Sequence, residues 1–284
     1  MFKKVVLYLK MIKFSHSVFA LPFAFTSALM AADGIPGLRQ VFWITLAMVS
    51  ARSGAMGLNR VIDSKIDALN PRTMEREVPS GKISAGSAMV FSLVSLGVLV
   101  LSAWMLNPLC LKLSPMAIAV LVLYSYSKRF TWGAHFVLGV AISAAPIGAW
   151  IAVRGSFDPS VLALAAAVVL WLAGFDILYA LQDTNFDRKH GLKSIPARFG
   201  IKRAFMIARL LHLSSWGFLL LTGMIFSMGL AYWAGMVLVA LLFLYEHSLI
   251  RHDDLSRLDM AFFNMNGYIS MTVFAFTLAD YLAF

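Results

Sequence analysis

SVLALAAAVVLWLAGFDILYALQDTNFD, residues 160–187, decides the fold class. Between Val161 and Gln182 the only formally charged side chain is Asp176. A run of this kind is long enough to cross a hydrocarbon core about 30 Å thick, which takes roughly 20 helical residues. It shows none of the strict alternation of a half-buried strand. The run ends in Asp183 and Asp187, and a spacing of four keeps such residues on one slowly drifting face of a helix.

The same pattern extends outward. The chain has 284 residues, of which 60% are hydrophobic and 13% charged, and its mean hydropathy is +0.80. Soluble globular domains do not reach this composition. Apolar stretches between charged breaks predict spans near 14–32, 39–60, 86–106, 112–127, 134–152, 160–183, 204–226, 230–250 and 260–282. The expectation is an all-α integral membrane protein of about nine transmembrane helices in one bundle. It forms one domain over residues 1–284, with motif loops at about 61–85 and 184–203. The first apolar stretch follows four lysines, as a secretory signal would. The many later spans and the charge pattern argue against cleavage.

The net charge is +10. With the amino terminus in the cytoplasm, most of the 24 basic residues fall on the inside, leaving Arg39, Lys112 and Arg154 outside and Arg52 within a span. Positive-inside bias and an anionic leaflet account for the basic excess, so no nucleic-acid partner is implied. Without a transit peptide, the expected location is a bacterial cytoplasmic (inner) membrane, with the motif loops on the cytoplasmic side. The single cysteine, Cys110, forms no intrachain disulfide.

An oxygen-bearing residue followed by two aspartates at intervals of four occurs twice: Asn59, Asp63, Asp67 and Tyr179, Asp183, Asp187. Four carboxylates at the ends of two spans repel one another unless cations lie between them. Oxygen ligands without His or Cys favour Mg²⁺ or Ca²⁺, and Mg²⁺ sites usually complete their shell with water and phosphate oxygens. Arg60, Lys65, Arg72, Arg76, Lys128, Arg129, Arg188, Lys189 and Lys193 lie nearby in sequence and suit a diphosphate. A single DxxxD more often caps a helix or pairs with loop cations. Two copies with a polar leader favour the chemical reading.

These residues, with Asn70-Pro71-Arg72-Thr73-Met74-Glu75-Arg76, Val78-Pro79-Ser80-Gly81, Tyr126-Ser127-Lys128-Arg129 and Ser194-Ile195-Pro196-Ala197-Arg198-Phe199-Gly200, resemble the UbiA superfamily of intramembrane prenyltransferases. The resemblance runs from about His16 to Arg203. It is strongest to the bacterial 4-hydroxybenzoate polyprenyltransferase-like branch, which includes menaquinone-pathway members. It implies nine helices around a central cavity with both motifs at its cytoplasmic cap, where Asn59, Asp63, Asp67, Asp183 and Asp187 hold Mg²⁺ and diphosphate. It also implies that Asn59, Arg60, Arg72, Lys128, Arg129, Tyr179 and Arg188 bind the diphosphate. The expected activity is transfer of a polyprenyl group from its diphosphate to an aromatic acid in ubiquinone or menaquinone biosynthesis, with no obligate protein partner. Many family members carry Asn-Asp at the start of the first motif and Arg after its first aspartate, where this chain has Asn59-Arg60 and Asp63-Ser64. The acceptor therefore stays open between 4-hydroxybenzoate and a naphthoate, haem or chlorophyll precursor.

Arg52 and Asp176 each precede a motif by seven residues and share its helical face. Arg52 is a candidate for the acceptor carboxylate, with Asp176 orienting a hydroxyl or Arg52; the alternative is a structural Arg52–Asp176 pair. His16, His212, Glu246 and His247 lack ligand spacing and are expected to be packed or interfacial groups. Pro22 and Pro146 suggest kinks. A cation transporter would also use intramembrane acids, but those acids are expected near the midplane rather than at span ends beside arginines.

Overall fold

Two of the apolar runs become helices behind a capping side chain. Ser84 accepts a hydrogen bond from Ser87 N–H before the helix Ala85–Leu106, and Asn107 accepts one from Cys110 N–H before the helix Pro108–Ser127. In the computed structural model, which describes residues 2–13, 20–250, 258 and 264–283, the helices are α1 (Phe2–Met11), α2 (Leu21–Ala32), α3 (Leu38–Ile62), α4 (Ser64–Asp67), α5 (Ala85–Leu106), α6 (Pro108–Ser127), α7 (Ala134–Arg154), α8 (Val161–Ala180), α9 (Thr184–His190), α10 (Ile195–Phe199), α11 (Ile201–Ile225), α12 (Leu230–Leu249) and α13 (Asn266–Ala283). A 3₁₀ turn, Leu181–Asp183, joins α8 to α9.

Among the described residues, seven helices are long and apolar enough to cross a membrane, and Leu21–Ala32 is a shorter apolar helix. With α13 they occupy the positions of the expected spans, and the chain is an all-α integral membrane protein. Two boundaries differ from expectation. The fourth span, expected from about 112, starts at Pro108 with Asn107 as its cap, because an N-terminal proline lacks only an N–H that the helix leaves unpaired anyway. Pro22 lies in the first turn of α2 and so begins that helix rather than kinking it, whereas Pro146 lies inside α7. The starts of the first and last expected spans, His16, Arg251 and Arg257 lie outside the described residues.

The long helices pack in a ring: α3 on α5, α5 on α6, α6 on α7, α7 on α8, α8 on α11, α11 on α12, α12 on α13, and α13 on α2, which also packs on α7. The main apolar cluster lies on the α8, α11, α12 side and includes Phe23, Trp171, Leu219, Tyr232 and Ile269. His212, Glu246 and His247 are packed polar groups inside this wall. His212 bonds His247 at 3.0 Å and the Trp171 carbonyl at 3.2 Å. Asn266 donates to Glu246 at 3.2 Å and accepts from the Trp171 indole at 2.6 Å. These bonds tie α8, α11, α12 and α13 together where lipid offers no competing partner. That solid half backs α8, and the cavity opens on its other side.

The α7–α8 contact is so close that a Cβ on Gly139 would lie 2.5 Å from the Val169 carbonyl oxygen, whereas one on Gly148 would meet nothing within 4 Å. Gly139→Ala is expected to destabilise the protein by about 1–3 kcal/mol, while Gly148→Ala leaves it unchanged or slightly stabilised. Thermal unfolding midpoints in detergent, measured side by side, check this.

Candidate active site

Both aspartate motifs sit where a long helix gives way to a short one. α3 ends at Ile62, Asp63 links it to α4, and Asp67 closes α4. α8 passes through the 3₁₀ turn ending at Asp183 into α9, which carries Asp187. In each half the motif-bearing helix follows one apolar helix, α2 before α3 and α7 before α8, so the repeat seen in sequence has a counterpart in helix order.

Asn59, Asp63, Asp67, Tyr179, Asp183 and Asp187 line one cavity of about 710 Å³, together with Arg52, Arg60, Arg72, Lys128 and Asp176. Arg129 and Arg188 are absent from its lining. Away from the motifs the wall is apolar, with Ile44, Leu99, Ala103, Leu113, Val120, Ile147 and Phe175 among its residues. From Ile44 to Asp63 along α3 the cavity is about 28 Å deep at the helical rise per residue.

Cationic groups hold three of the four aspartates. Asp63, almost fully buried, accepts from Lys128 Nζ at 2.6 Å, Arg129 Nη2 at 3.1 Å and Asn59 Nδ2 at 3.0 Å. Arg76 Nη1 donates to both oxygens of Asp67 at 2.9 and 2.8 Å. Asp183 accepts from Arg72 through Nε at 3.0 Å and through Nη2, and from Asn70 Nδ2 at 3.0 Å. Arg72 also donates to the Tyr179 hydroxyl at 2.8 Å and lies over its ring. Asp187 accepts instead from the Ser194 hydroxyl at 2.8 Å. Burial opposes the Arg72 charge, but its bonds to Asp183 and Tyr179 outweigh this and raise the guanidinium pKa above its ordinary value.

Two expected diphosphate ligands make bonds outside the motifs. Arg60 is buried and gives its Nε to the Met11 carbonyl at 3.3 Å, tying α1 to α3. Arg188 is exposed and bonds the Ala197 carbonyl at 2.9 Å. One-dimensional spacing gives their neighbourhood but not the direction of a long side chain. The structural Arg52–Asp176 pair does not form. Asp176 bonds His135 Nδ1 at 2.7 Å, and Arg52 Nε is buried without a hydrogen-bond partner among the described residues. Sequence reasoning did not single out Asn70 and Ser194 as site residues, left Arg76 among the nearby basics, and missed His135. For His135 the available signal was an ionisable residue in the first turn of a span, at the end where the motifs cluster.

Among the described residues no three Asp, Glu, His or Cys side chains form a ready-made metal cluster. The donor set is nevertheless one of hard oxygens: four carboxylates on one cavity wall with two amides beside them. Such a set fits a hard divalent cation that takes one or two carboxylates and shares its remaining positions with phosphate.

The sequence matches the UbiA prenyltransferase family over residues 20–268. A 4-hydroxybenzoate octaprenyltransferase of Vibrio cholerae serotype O1 is 34% identical over 250 residues, covering 87% of this chain and 86% of the relative. The apo structure of a UbiA homologue from Aeropyrum pernix K1 superimposes with a TM-score of 0.85 at 30% identity, covering 93% of this chain and 98% of the other. A UbiA homologue from Archaeoglobus fulgidus, solved with DMAPP and Mg²⁺, shares the fold with a TM-score of 0.70 at 18% identity, covering 98% and 99% of the two chains.

Arg76→Ala leaves the buried Asp67 carboxylate without its guanidinium. The expected loss of stability is about 3 kcal/mol, and Asp67→Asn added to Arg76→Ala recovers part of it by removing the stranded charge. Thermal unfolding of the single and double variants measures both effects.

Proposed function

The chain belongs to the UbiA prenyltransferase family and is a prenyltransferase, and on that premise we propose that it transfers a polyprenyl group from its diphosphate to a ring carbon of an aromatic acid such as 4-hydroxybenzoate. In this reading the reaction depends on Mg²⁺ and serves quinone biosynthesis. The chain works as one transmembrane domain in a bacterial cytoplasmic membrane, with its amino terminus and motif end facing the cytoplasm. The observation that carries the reading is the cavity itself: carboxylates and guanidinium groups crowd one end, and the rest is mainly apolar. A prenyl diphosphate has the same division of charge. The names of the Vibrio relatives support the acceptor, and the Archaeoglobus homologue solved with DMAPP and Mg²⁺ supports the donor and the metal.

Asp63, Asp67, Asp183 and Asp187, with Asn59, would hold the metal. When bound, Mg²⁺ supplies Lewis-acid stabilisation to the departing diphosphate. Arg72 and Lys128 line the cavity and already hold anionic oxygens, so the diphosphate competes for donors that are in place. Tyr179 steadies Arg72, and Arg129 secures Asp63 from behind the cavity wall. Arg188 has no part in this scheme, because it lies outside the cavity lining and bonds the Ala197 carbonyl, whereas Arg60 lines the cavity with its Nε held by the Met11 carbonyl. Ionisation leaves an allylic cation that water would quench, and the apolar walls below the motifs exclude water from it. Arg52, with its unpartnered Nε in the cavity wall, binds the acceptor carboxylate, while Asp176 takes a hydrogen bond from the acceptor hydroxyl.

Protein reconstituted in lipid, supplied with labelled geranyl diphosphate, 4-hydroxybenzoate and Mg²⁺, is expected to give a prenylated acid. EDTA abolishes the product, and Asp63→Ala or Asp183→Ala lowers the rate by about a hundredfold or more. Transfer only to a different aromatic would keep the reaction and discard the acceptor; transfer to none would reject the proposal. Arg52→Ala is expected to raise KM for the acid by about tenfold and leave KM for geranyl diphosphate near its original value, consistent with loss of one charge-assisted contact. Equal rises in both constants would remove Arg52 from the acceptor site.

A further inference from the structure

His135 stands in the first turn of α7, buried to 3% exposure, on the cavity wall between Asp176 and the segment that follows α9. Its two ring nitrogens have different partners. Nε2 lies 3.2 Å from the backbone nitrogen of Ile195, which can only donate. Nε2 must therefore carry a lone pair, which leaves the ring proton on Nδ1, 2.7 Å from Asp176 Oδ2. A doubly protonated ring would set two N–H groups head-on at Ile195. The contacts thus select one tautomer, and that tautomer donates to Asp176.

What lies beyond each bond gives the arrangement its interest. Asp176 keeps 22% of its side chain exposed, toward the cavity it lines. Its second oxygen has no hydrogen-bond partner among the described residues, which leaves one acceptor on a residue of the cavity lining. On the other side Ile195 follows Ser194, whose hydroxyl donates to Asp187 and whose oxygen also caps α10. One imidazole therefore joins the Asp176 carboxylate to the segment that fixes Asp187, the last aspartate of the second motif.

We infer that His135 is a positioning residue: through Nδ1–H it holds Asp176 toward the acceptor, and through Nε2 it anchors the Ile195 backbone beside the Ser194–Asp187 bond. This rests on the proposed acceptor role of Asp176, and the test separates the two. A glutamine amide reaches the Nε2 position and can accept from Ile195, but leaves Asp176 without its donor. An asparagine amide sits near Nδ1 and can donate to Asp176, but leaves the buried Ile195 N–H unmet.

The experiment is steady-state kinetics of the full chain in lipid with geranyl diphosphate and 4-hydroxybenzoate, using only variants that elute as one folded species. His135→Gln is expected to raise KM for the acid by about tenfold while KM for geranyl diphosphate stays within about twofold. His135→Asn is expected to keep KM for the acid near the wild-type value and to raise that for geranyl diphosphate. In an Asp176→Asn background, His135→Gln should add no further rise in KM for the acid, a non-additivity that general loss of packing would not produce. A wild-type KM in His135→Gln beside a raised KM in Asp176→Asn overturns the role of His135 and leaves the acceptor reading intact. An unchanged KM in Asp176→Asn overturns both.

Discussion

Carboxylates gathered at the mouth of an apolar cavity must be matched by positive charge, and the rest of this structure follows from how that is done. Asp63 lies between Lys128 and Arg129, Asp67 is gripped by Arg76, and Asp183 by Arg72. Two of these groupings join segments distant in sequence. Lys128 and Arg129 come from the end of α6 to the end of α3, and Arg72 crosses from the loop after α4 to the end of α8. The contacts that neutralise the aspartates thus also fix the helices that frame the cavity.

On the proposed function, the pairing would prepare the site for an anionic substrate. A guanidinium already held by a carboxylate and by Tyr179 has lost much of its rotamer freedom before a phosphate arrives. On the proposed function, the aspartates would hold the hard divalent ion, and their present basic partners would then be free to meet phosphate at the motif end of the cavity. The buried polar contacts around Trp171 keep the opposite wall closed with hydrogen bonds that lipid cannot replace.

Hydropathy made the helices legible, because each span had to satisfy its own backbone inside the bilayer. It misread Pro22, where a residue type that breaks a helix in its interior also begins one. The repeated Asn59/Asp63/Asp67 and Tyr179/Asp183/Asp187 spacing was enough to predict residues that line one cavity. Side-chain direction was not legible. Arg60 and Arg188 sit beside motif residues in sequence yet bond to the Met11 and Ala197 carbonyls. His135 is far from both motifs in the chain and meets Asp176 and the Ile195 backbone only through helix packing, which no spacing rule on a single sequence encodes.

Exchange of the aspartates' basic partners for a divalent cation, on arrival of a prenyl diphosphate, is the step on which this picture stands. It can be followed by equilibrium binding of geranyl diphosphate to the reconstituted protein, titrated with and without Mg²⁺ and without any acceptor. The expected result is weak binding without Mg²⁺, tighter binding with it, and an equal enhancement of Mg²⁺ affinity by geranyl diphosphate, as linkage requires. Equal affinity in the presence and absence of Mg²⁺ would contradict the exchange.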